Sequence, residues 1–325
     1  MGSMVSFTSP RVAEVVDDRE APLAADEVRL KTLFSGISAG TELTAYRGSN
    51  PYLNKKWDDD SRLFVDGSTS FEYPVDGWGY EEVGEVVEVG AETLDIAVGD
   101  RVWGTWGHRT GTVQKGERAA QRVLDPSVDP RIGIFSQIAA IGLNVVLDAD
   151  IHIGETVAVF GLGVPGQIAA QLARLNGGRV IAVDGIEARR DLALKLGADL
   201  VLDPADGGVA ERIRDLTDGR GADVCLEVTG NYRAMHEAIR SVAYSSRVCV
   251  AGFMQGEGTG LRLGEEFHHN RVAVIASQIS GVAPALQHRW DGFRLAKTAM
   301  DLAVSGRLQL IDLITHTVPL SEAGA

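Results

Sequence analysis

The sequence predicts an α/β protein, a β-rich N-terminal part followed by a doubly wound parallel sheet of six strands. Three observations predict it. Residues 156–160, TVAVF, are short, apolar and β-branched, and they end at a GxGxxG turn, Gly161-Leu162-Gly163-Val164-Pro165-Gly166. From there to residue 277, strand-like and helix-like runs alternate, a pattern that needs parallel strands with helices on both faces. Residues 5–125 instead carry short alternating strands separated by Gly, Pro and Asp turns.

In order, EVRLKTLF and EEVGEVVEVG read as N-terminal strands. Segment 47–76, with Asn50-Pro51, WDDDSR and Gly67-Ser68, is loop-like. It is long for a structureless loop, which points to an active-site loop or a subunit contact. Residues 131–148 suit an apolar helix. After TVAVF, the residues Ile168, Ala169, Leu172, Ala173 and Leu175 share one helical face, and Asn176-Gly177-Gly178 ends that helix. Then come RVIAV, helix EARRDLALKL, DLVLD, helix VAERIRDLT, ADVCLEV, helix YRAMHEAIRSV, RVCVAG and RVAVIAS. Helix GFRLAKTAMDLAVSG and a strand, LITHTVPL, close the chain, and Ser321–Ala325 reads as the start of a further helix. The expected domains are 5–130, 131–284 and a return segment 285–325. Residues 1–3 read as a cloning remnant before a native start at Met4.

The glycine turn has a physical logic. Gly161 permits the tight turn, Gly163 lets backbone approach a pyrophosphate, and Gly166 lets helix and strand pack closely. The following helix points free N–H groups and a positive dipole end at the phosphates, and Pro165 sits where no N–H is needed. Asp184 ends the second strand, eighteen residues past Gly166. Its carboxylate accepts hydrogen bonds from ribose hydroxyls and repels a 2′-phosphate, which favours NAD over NADP. Arg189 and Arg190 follow; they either soften that preference, leaving NADP possible, or form a solvated helix face. Val164, Thr229 and Gly252 complete the expected cofactor-binding set.

The composition is that of a globular protein, 45% hydrophobic and 23% charged, with a net charge of -14. The acidity argues against nucleic acid or anionic membrane as the main partner. No apolar run is expected to reach the length of a membrane span. Cys225 and Cys249 lie in apolar strands, give no disulfide framework and fit a reducing cytoplasm.

GDRVWG at 99–104, GETVAVFGLGVPG at 154–166, Asp184, LGADLVLD at 196–203, GADVCLEVTG at 221–230 and RVCVAGF at 247–253 together resemble the medium-chain dehydrogenase/reductase superfamily over nearly the whole chain. The resemblance implies a GroES-like β-rich catalytic domain, a Rossmann domain, a substrate cleft between them and a homo-oligomer, with RVAVIAS as an edge strand for dimer pairing. Zinc-dependent members carry a Cys in a GxCGTD-like turn and a His in a GHE-like turn. Here Ser38 stands near the cysteine place and Tyr80 at the histidine place, and the third place falls near Ser136. Serine and tyrosine hydroxyls are poor zinc ligands. No metal is expected, and SGISAGTEL at 35–43, GYEEVGEVVEVG at 79–90 and a His shortly after GDRVW resemble the zinc-lacking branch that includes the bacteriochlorophyllide hydroxyethyl dehydrogenases.

Without zinc, a side chain must take up the charge that develops on a carbonyl oxygen. His108, after the strand RVWG, is the first candidate as a proton shuttle. The competing reading is a surface-loop histidine. Tyr80 is the second, as donor or as a packing tyrosine. Ser38 and Thr41 orient substrate or cap their turn. Glu42 and Glu81 act as acid/base or brace the fold. Tyr46, one turn beyond Glu42, is a further lining candidate. His268 and His269 read as structural. The expected function is a zinc-independent, cytoplasmic oxidoreductase that moves hydride between NAD(H) and a small alcohol or ketone. The alternatives are reduction of an activated C=C bond and a non-catalytic nucleotide-binding relative.

Overall fold

The computed structural model describes residues 2–324. It contains two compact units. The first runs to Gln137 and includes the segment from Ile314; the second is Ile138–Leu313.

The first unit is built from β1 (Gly2–Ser9), β2 (Val12–Asp18), β3 (Glu27–Ser35), α1 (Glu42–Arg47), β4 (Lys56–Asp58), β5 (Leu63–Val65), β6 (Val75–Asp76), β7 (Glu82–Val89), β8 (Arg101–Gly104), β9 (Gly111–Lys115) and α2 (Gly116–Ala120). The strands form antiparallel sheets in the orders β2-β1-β6 and β8-β7-β3-β9, with β4-β5 as a hairpin. Alternation along β3 turns Val28 and Leu30 inward against Val86, Val102 and Ala119. A second cluster joins Val5, Phe7, Ala45 and Val75. Segment 47–76, loop-like in the sequence, carries the hairpin and β6. Contacts among the rings of Tyr52, Trp57, Phe64 and Phe71 hold it together in place of a long hydrogen-bonded ladder.

The second unit contains α3 (Ser136–Ala149, which starts at the end of the first), β10 (Thr156–Phe160), α4 (Val164–Leu175), β11 (Arg179–Val183), α5 (Glu187–Lys195), β12 (Leu200–Leu202), α6 (Val209–Asp215), β13 (Ala222–Glu227), α7 (Tyr232–Ser241), β14 (Val242–Val250), β15 (Ala273–Ala276) and α8 (Gly292–Val304). The six strands pair in parallel in the order β12-β11-β10-β13-β14-β15. Every residue of β10 is buried, as expected of a central parallel strand covered on both faces. The order reverses beside β10, so the carboxyl ends of β10 and β13 form the switch point at which such sheets bind ligands. Cys225 and Cys249 are buried and unbridged. Burial raises both thiols, Cys249 to about 12, so both serve packing.

The compact units divide at 137/138 and 313/314, beside the domain limits of 130/131 and 284/285 expected from the sequence. Gly133 packs on Val83, where a Cβ would lie 2.7 Å from Cγ2, and this keeps the 130–135 turn with the first unit. Gln171 and Gln309 exchange hydrogen bonds of 3.0 and 2.8 Å, tying the chain after α8 to α4. LITHTVPL forms no strand: Ile311–Leu313 is a 3₁₀ turn and Leu313 is buried, so apolar packing rather than ladder pairing anchors the segment. Finally, Pro130–Ala149 is by itself long and apolar enough to span a membrane, with 20 residues at mean hydropathy 1.7. It is 67% buried inside the protein, which makes it a core helix.

Ile181 in β11 is fully buried in the core of the second unit. Ile181→Ala should cost about 2–5 kcal/mol and Ile181→Val about 0.5–1.5 kcal/mol, measured by urea unfolding of the full chain.

Candidate active site

In the first unit, a buried polar cluster forms where β3 ends, β7 begins and α1 starts. The β3–β7 register places Ser35 opposite Glu82. His108 reaches them from the connection between β8 and β9. Gly107 makes this possible, since its φ is +79° and a Cβ there would lie 1.9 Å from the Gly77 carbonyl oxygen. The His108 backbone N–H donates to Trp78 O, and its carbonyl accepts from Val5 N–H.

The imidazole is held on both sides. Nε2 lies 2.9 Å from Glu42 Oε2, and Nδ1 lies 2.6 Å from Ser35 Oγ. Ser35 Oγ–H donates to Glu82 Oε1 at 3.2 Å, and the Trp106 N–H donates to Glu82 Oε2 at 2.6 Å. Ser35 Oγ thus links Nδ1 to Glu82, and Nε2 faces Glu42. Burial opposes a positive charge on this ring. The hydrogen bond and charge of Glu42, with the charge of Glu82, outweigh it, and His108 titrates above its ordinary value. Burial raises Glu82 in turn.

Glu42 Oε2 also accepts from the Ser38 N–H at 3.1 Å, which fixes the turn before α1. On that turn the Tyr80 hydroxyl donates to Ser38 Oγ at 2.5 Å. Burial pushes the Tyr80 phenol up to about 12, opposed by its hydrogen bonding with Ser38 and Thr41. Glu81 lies buried beside Gly36, where a Cβ would meet Glu81 Oε2 at 2.6 Å. Burial first, then the charges of Glu42 and Glu82, raise Glu81 well above its ordinary value. Glu42 Oε1 and Glu81 Oε1 are buried with no hydrogen-bond partner.

The structure thus brings together Ser38, Thr41, Glu42, Tyr80, Glu81 and His108. It corrects two readings. His108 is buried rather than an exposed loop histidine, with both ring nitrogens engaged. Tyr46 turns its ring edge onto Phe7, with centroids 5.7 Å apart, and belongs to the Val5–Phe7 core. His268 and His269 contact each other at 5.4 Å. Sequence reasoning missed Ser35 and Glu82. Glu81 and Glu82 are both buried although consecutive, so strand alternation could not reveal the second acid.

In the second unit, the glycine turn is close-packed on one side and open on the other. A Cβ on Gly166 would lie 1.8 Å from the Gly161 carbonyl oxygen. Gly161 has φ +94°, and its Cβ would lie 2.7 Å from Thr229 Cγ2. Gly163, the N-cap of α4, faces open space, with nothing nearer its Cβ position than 3.9 Å. Val164 and Pro165 begin the helix. Asp184 Oδ2 accepts from the Leu162 N–H at 2.7 Å, and Oδ1 accepts from the Ile186 N–H at 2.8 Å. Arg189 Nη1 lies 3.6 Å from Asp184 Oδ2, whereas Arg190 turns to Asp203 at 2.8 Å. Thr229 and Gly252 sit at the carboxyl ends of β13 and β14. An open backbone cradle at a helix N-terminus, with a carboxylate at the next strand end, fits a dinucleotide.

The residues at the expected zinc positions do not fit zinc. Ser38 and Tyr80 offer protonated hydroxyls bonded to each other, and Ser136 is a buried first residue of α3. Among the described residues, one group of ligand-type side chains converges within 4.8 Å, namely His236, Glu265 and Glu266 of the second unit. There Arg240 already lies 3.3 Å from Glu266.

The sheet order, the open glycine cradle and the ribose-side carboxylate define a dinucleotide-binding protein. The zinc-binding dehydrogenase family matches residues 165–293. D-guloside 3-dehydrogenase of Escherichia coli (strain K12) is 31% identical over 97% of this chain and 92% of its own. L-threonine 3-dehydrogenase of Pyrococcus horikoshii is 27% identical over 94% of this chain and 87% of its own. A putative zinc-binding dehydrogenase from Sinorhizobium meliloti 1021, solved bound to NADP, matches with a TM-score of 0.78 at 23% identity, covering 99% of this chain and 94% of that one. The chain belongs to the medium-chain dehydrogenase/reductase superfamily and is an NAD(P)-dependent oxidoreductase.

Glu81 offers a test by pH. Its folded-state pKa is raised, so the unfolded chain releases this proton first. Stability is full below the ordinary value of 4.5 and falls as pH rises toward the folded value. His108, also raised, acts in the same direction above 6.5. Glu81→Gln should therefore melt higher than wild type at pH 8 and converge with it near pH 4, as read by thermal unfolding across pH.

Proposed function

We propose that this chain is a zinc-independent dehydrogenase that interconverts a secondary alcohol and a ketone with NAD(H), using Tyr80 as the proton donor. The observation that carries this reading is the Tyr80–Ser38 hydroxyl pair, seated where zinc-dependent members carry thiolate and imidazole ligands. The bound nicotinamide supplies or accepts the hydride. The chain's own residues handle the oxygen. The Tyr80 hydroxyl stays protonated to about pH 12 and so can donate to an oxygen that gains negative charge. Ser38 and Thr41 take up charge on the phenol oxygen as the proton leaves. Glu42 and the His108 imidazole form a buried pair that holds the Ser38 backbone in place.

Asp184 supports NAD over NADP, because its carboxylate would face the 2′ position of the adenosine ribose. Kinship to the guloside enzyme supports a carbohydrate or polyol hydroxyl as the substrate group. β15 is the edge of the sheet, and its exposed Val274 offers a second copy a pairing surface. We place the enzyme in the cytoplasm on its unbridged cysteines.

Two outcomes are expected. Purified protein should hold no stoichiometric zinc and should reduce ketones with NADH, whereas Tyr80→Phe should lower kcat by about 10²–10⁴-fold with NADH affinity unchanged. Stoichiometric zinc, or an active Tyr80→Phe, would overturn the proposal. Asp184→Ala should weaken NADH binding by about tenfold while leaving NADPH binding equal or tighter, measured by nicotinamide fluorescence titration.

A further inference from the structure

Glu227 is the last residue of β13 and is fully buried, directly after the apolar run Val224-Cys225-Leu226. Its carboxylate gathers three hydrogen bonds from the turn that follows. Oε1 accepts from the Thr229 N–H at 2.8 Å and from the Thr229 hydroxyl, and Oε2 accepts from the Gly230 N–H at 3.3 Å. Its backbone carbonyl accepts from the Ala251 and Gly252 N–H groups at 2.9 and 3.0 Å, at the end of β14.

These turns touch without room for another atom. A Cβ on Gly252 would lie 2.2 Å from Gly230 N and 2.6 Å from Glu227 Oε2. A Cβ on Gly161 would lie 2.7 Å from Thr229 Cγ2. One buried acid therefore sets the positions of the turns after β13 and β14, and through Thr229 it abuts the phosphate-side glycine turn after β10. A buried carboxylate is costly unless its bonds are made. Three donors at one acid specify a single conformation of residues 227–230.

We propose that Glu227 is a positioning residue for the nicotinamide half of the bound dinucleotide. A sheet of this order has two mononucleotide halves. Asp184 lies in the β10–β12 half, which takes the adenosine. The turns that Glu227 sets belong to the β13–β15 half, which takes the nicotinamide nucleotide. Glu227 itself touches no cofactor atom in this account; it acts by fixing the backbone around Thr229, Gly230 and Gly252. The inference rests on the dinucleotide reading of this unit.

The two halves allow the test. Glu227→Gln keeps the shape but turns an amide NH₂ toward the Thr229 and Gly230 N–H donors, so at least one bond is lost. In the full-length variant, NADH should bind about tenfold more weakly, while AMP, which fills the adenosine half alone, should bind within about twofold of wild type. Both are read by calorimetry and nicotinamide fluorescence. Thr229→Val removes the hydroxyl that donates to Glu227 and accepts from the Asn231 N–H, and should weaken NADH about threefold with AMP unchanged; it decides the matter if Glu227→Gln does not fold. NADH bound as tightly as in wild type, or AMP and NADH weakened by the same factor, would overturn the positioning role. A wild-type chain that binds neither AMP nor NADH would instead remove the dinucleotide reading, and this inference with it.

Discussion

The second unit depends on one contact between backbone atoms. Gly166, on the first turn of α4, is so close to the Gly161 carbonyl that a single Cβ would overlap it. This approach lets α4 start directly off β10, which aims the helix N-terminus at the carboxyl edge of the sheet. Gly163 lies on the open side of the same turn and leaves its N–H side uncovered. The tight side fixes the helix, and the open side leaves room for phosphate. Asp184 stitches the arrangement to the neighbouring strand by accepting the Leu162 N–H. The residue that would face a ribose thus also closes the turn that would face the pyrophosphate.

The first unit is organised by charge instead. Glu42, Glu82 and His108 are all buried, and no one of them is stable there alone. Together they form a shared arrangement in which the imidazole lies between two acids, directly at Glu42 and through Ser35 at Glu82. Glu81, the fourth buried group, is raised well above its ordinary value by burial and by the charges of Glu42 and Glu82. Tyr80 stands at the edge of this cluster, and its partner Ser38 is held by Glu42 through the backbone.

Much of the second unit was legible because its signals are local. The TVAVF strand, the glycine turn, the amphipathic helix and the terminal aspartate each depend on residues within one supersecondary unit. In the first unit, Ser38 and Tyr80 were legible through the turns that carry them. His108 was named, yet its role was not readable, because its ring is defined by Glu42 and Ser35, far away in the chain. Tyr46 follows Glu42 by one helical turn, but α1 begins at Glu42 and rotates Tyr46 onto Phe7, outside the polar cluster.

By itself the sequence determined the order of elements, the dinucleotide cradle and the acid at Asp184, since each is written in contiguous residues. Only the tertiary structure decided which acids are buried together, that His108 is clamped rather than free, that Glu227 ties together the turns after β13 and β14, and where each unit ends. Those properties arise from burial and from hydrogen bonds between segments distant in the chain. Sequence periodicity carries neither.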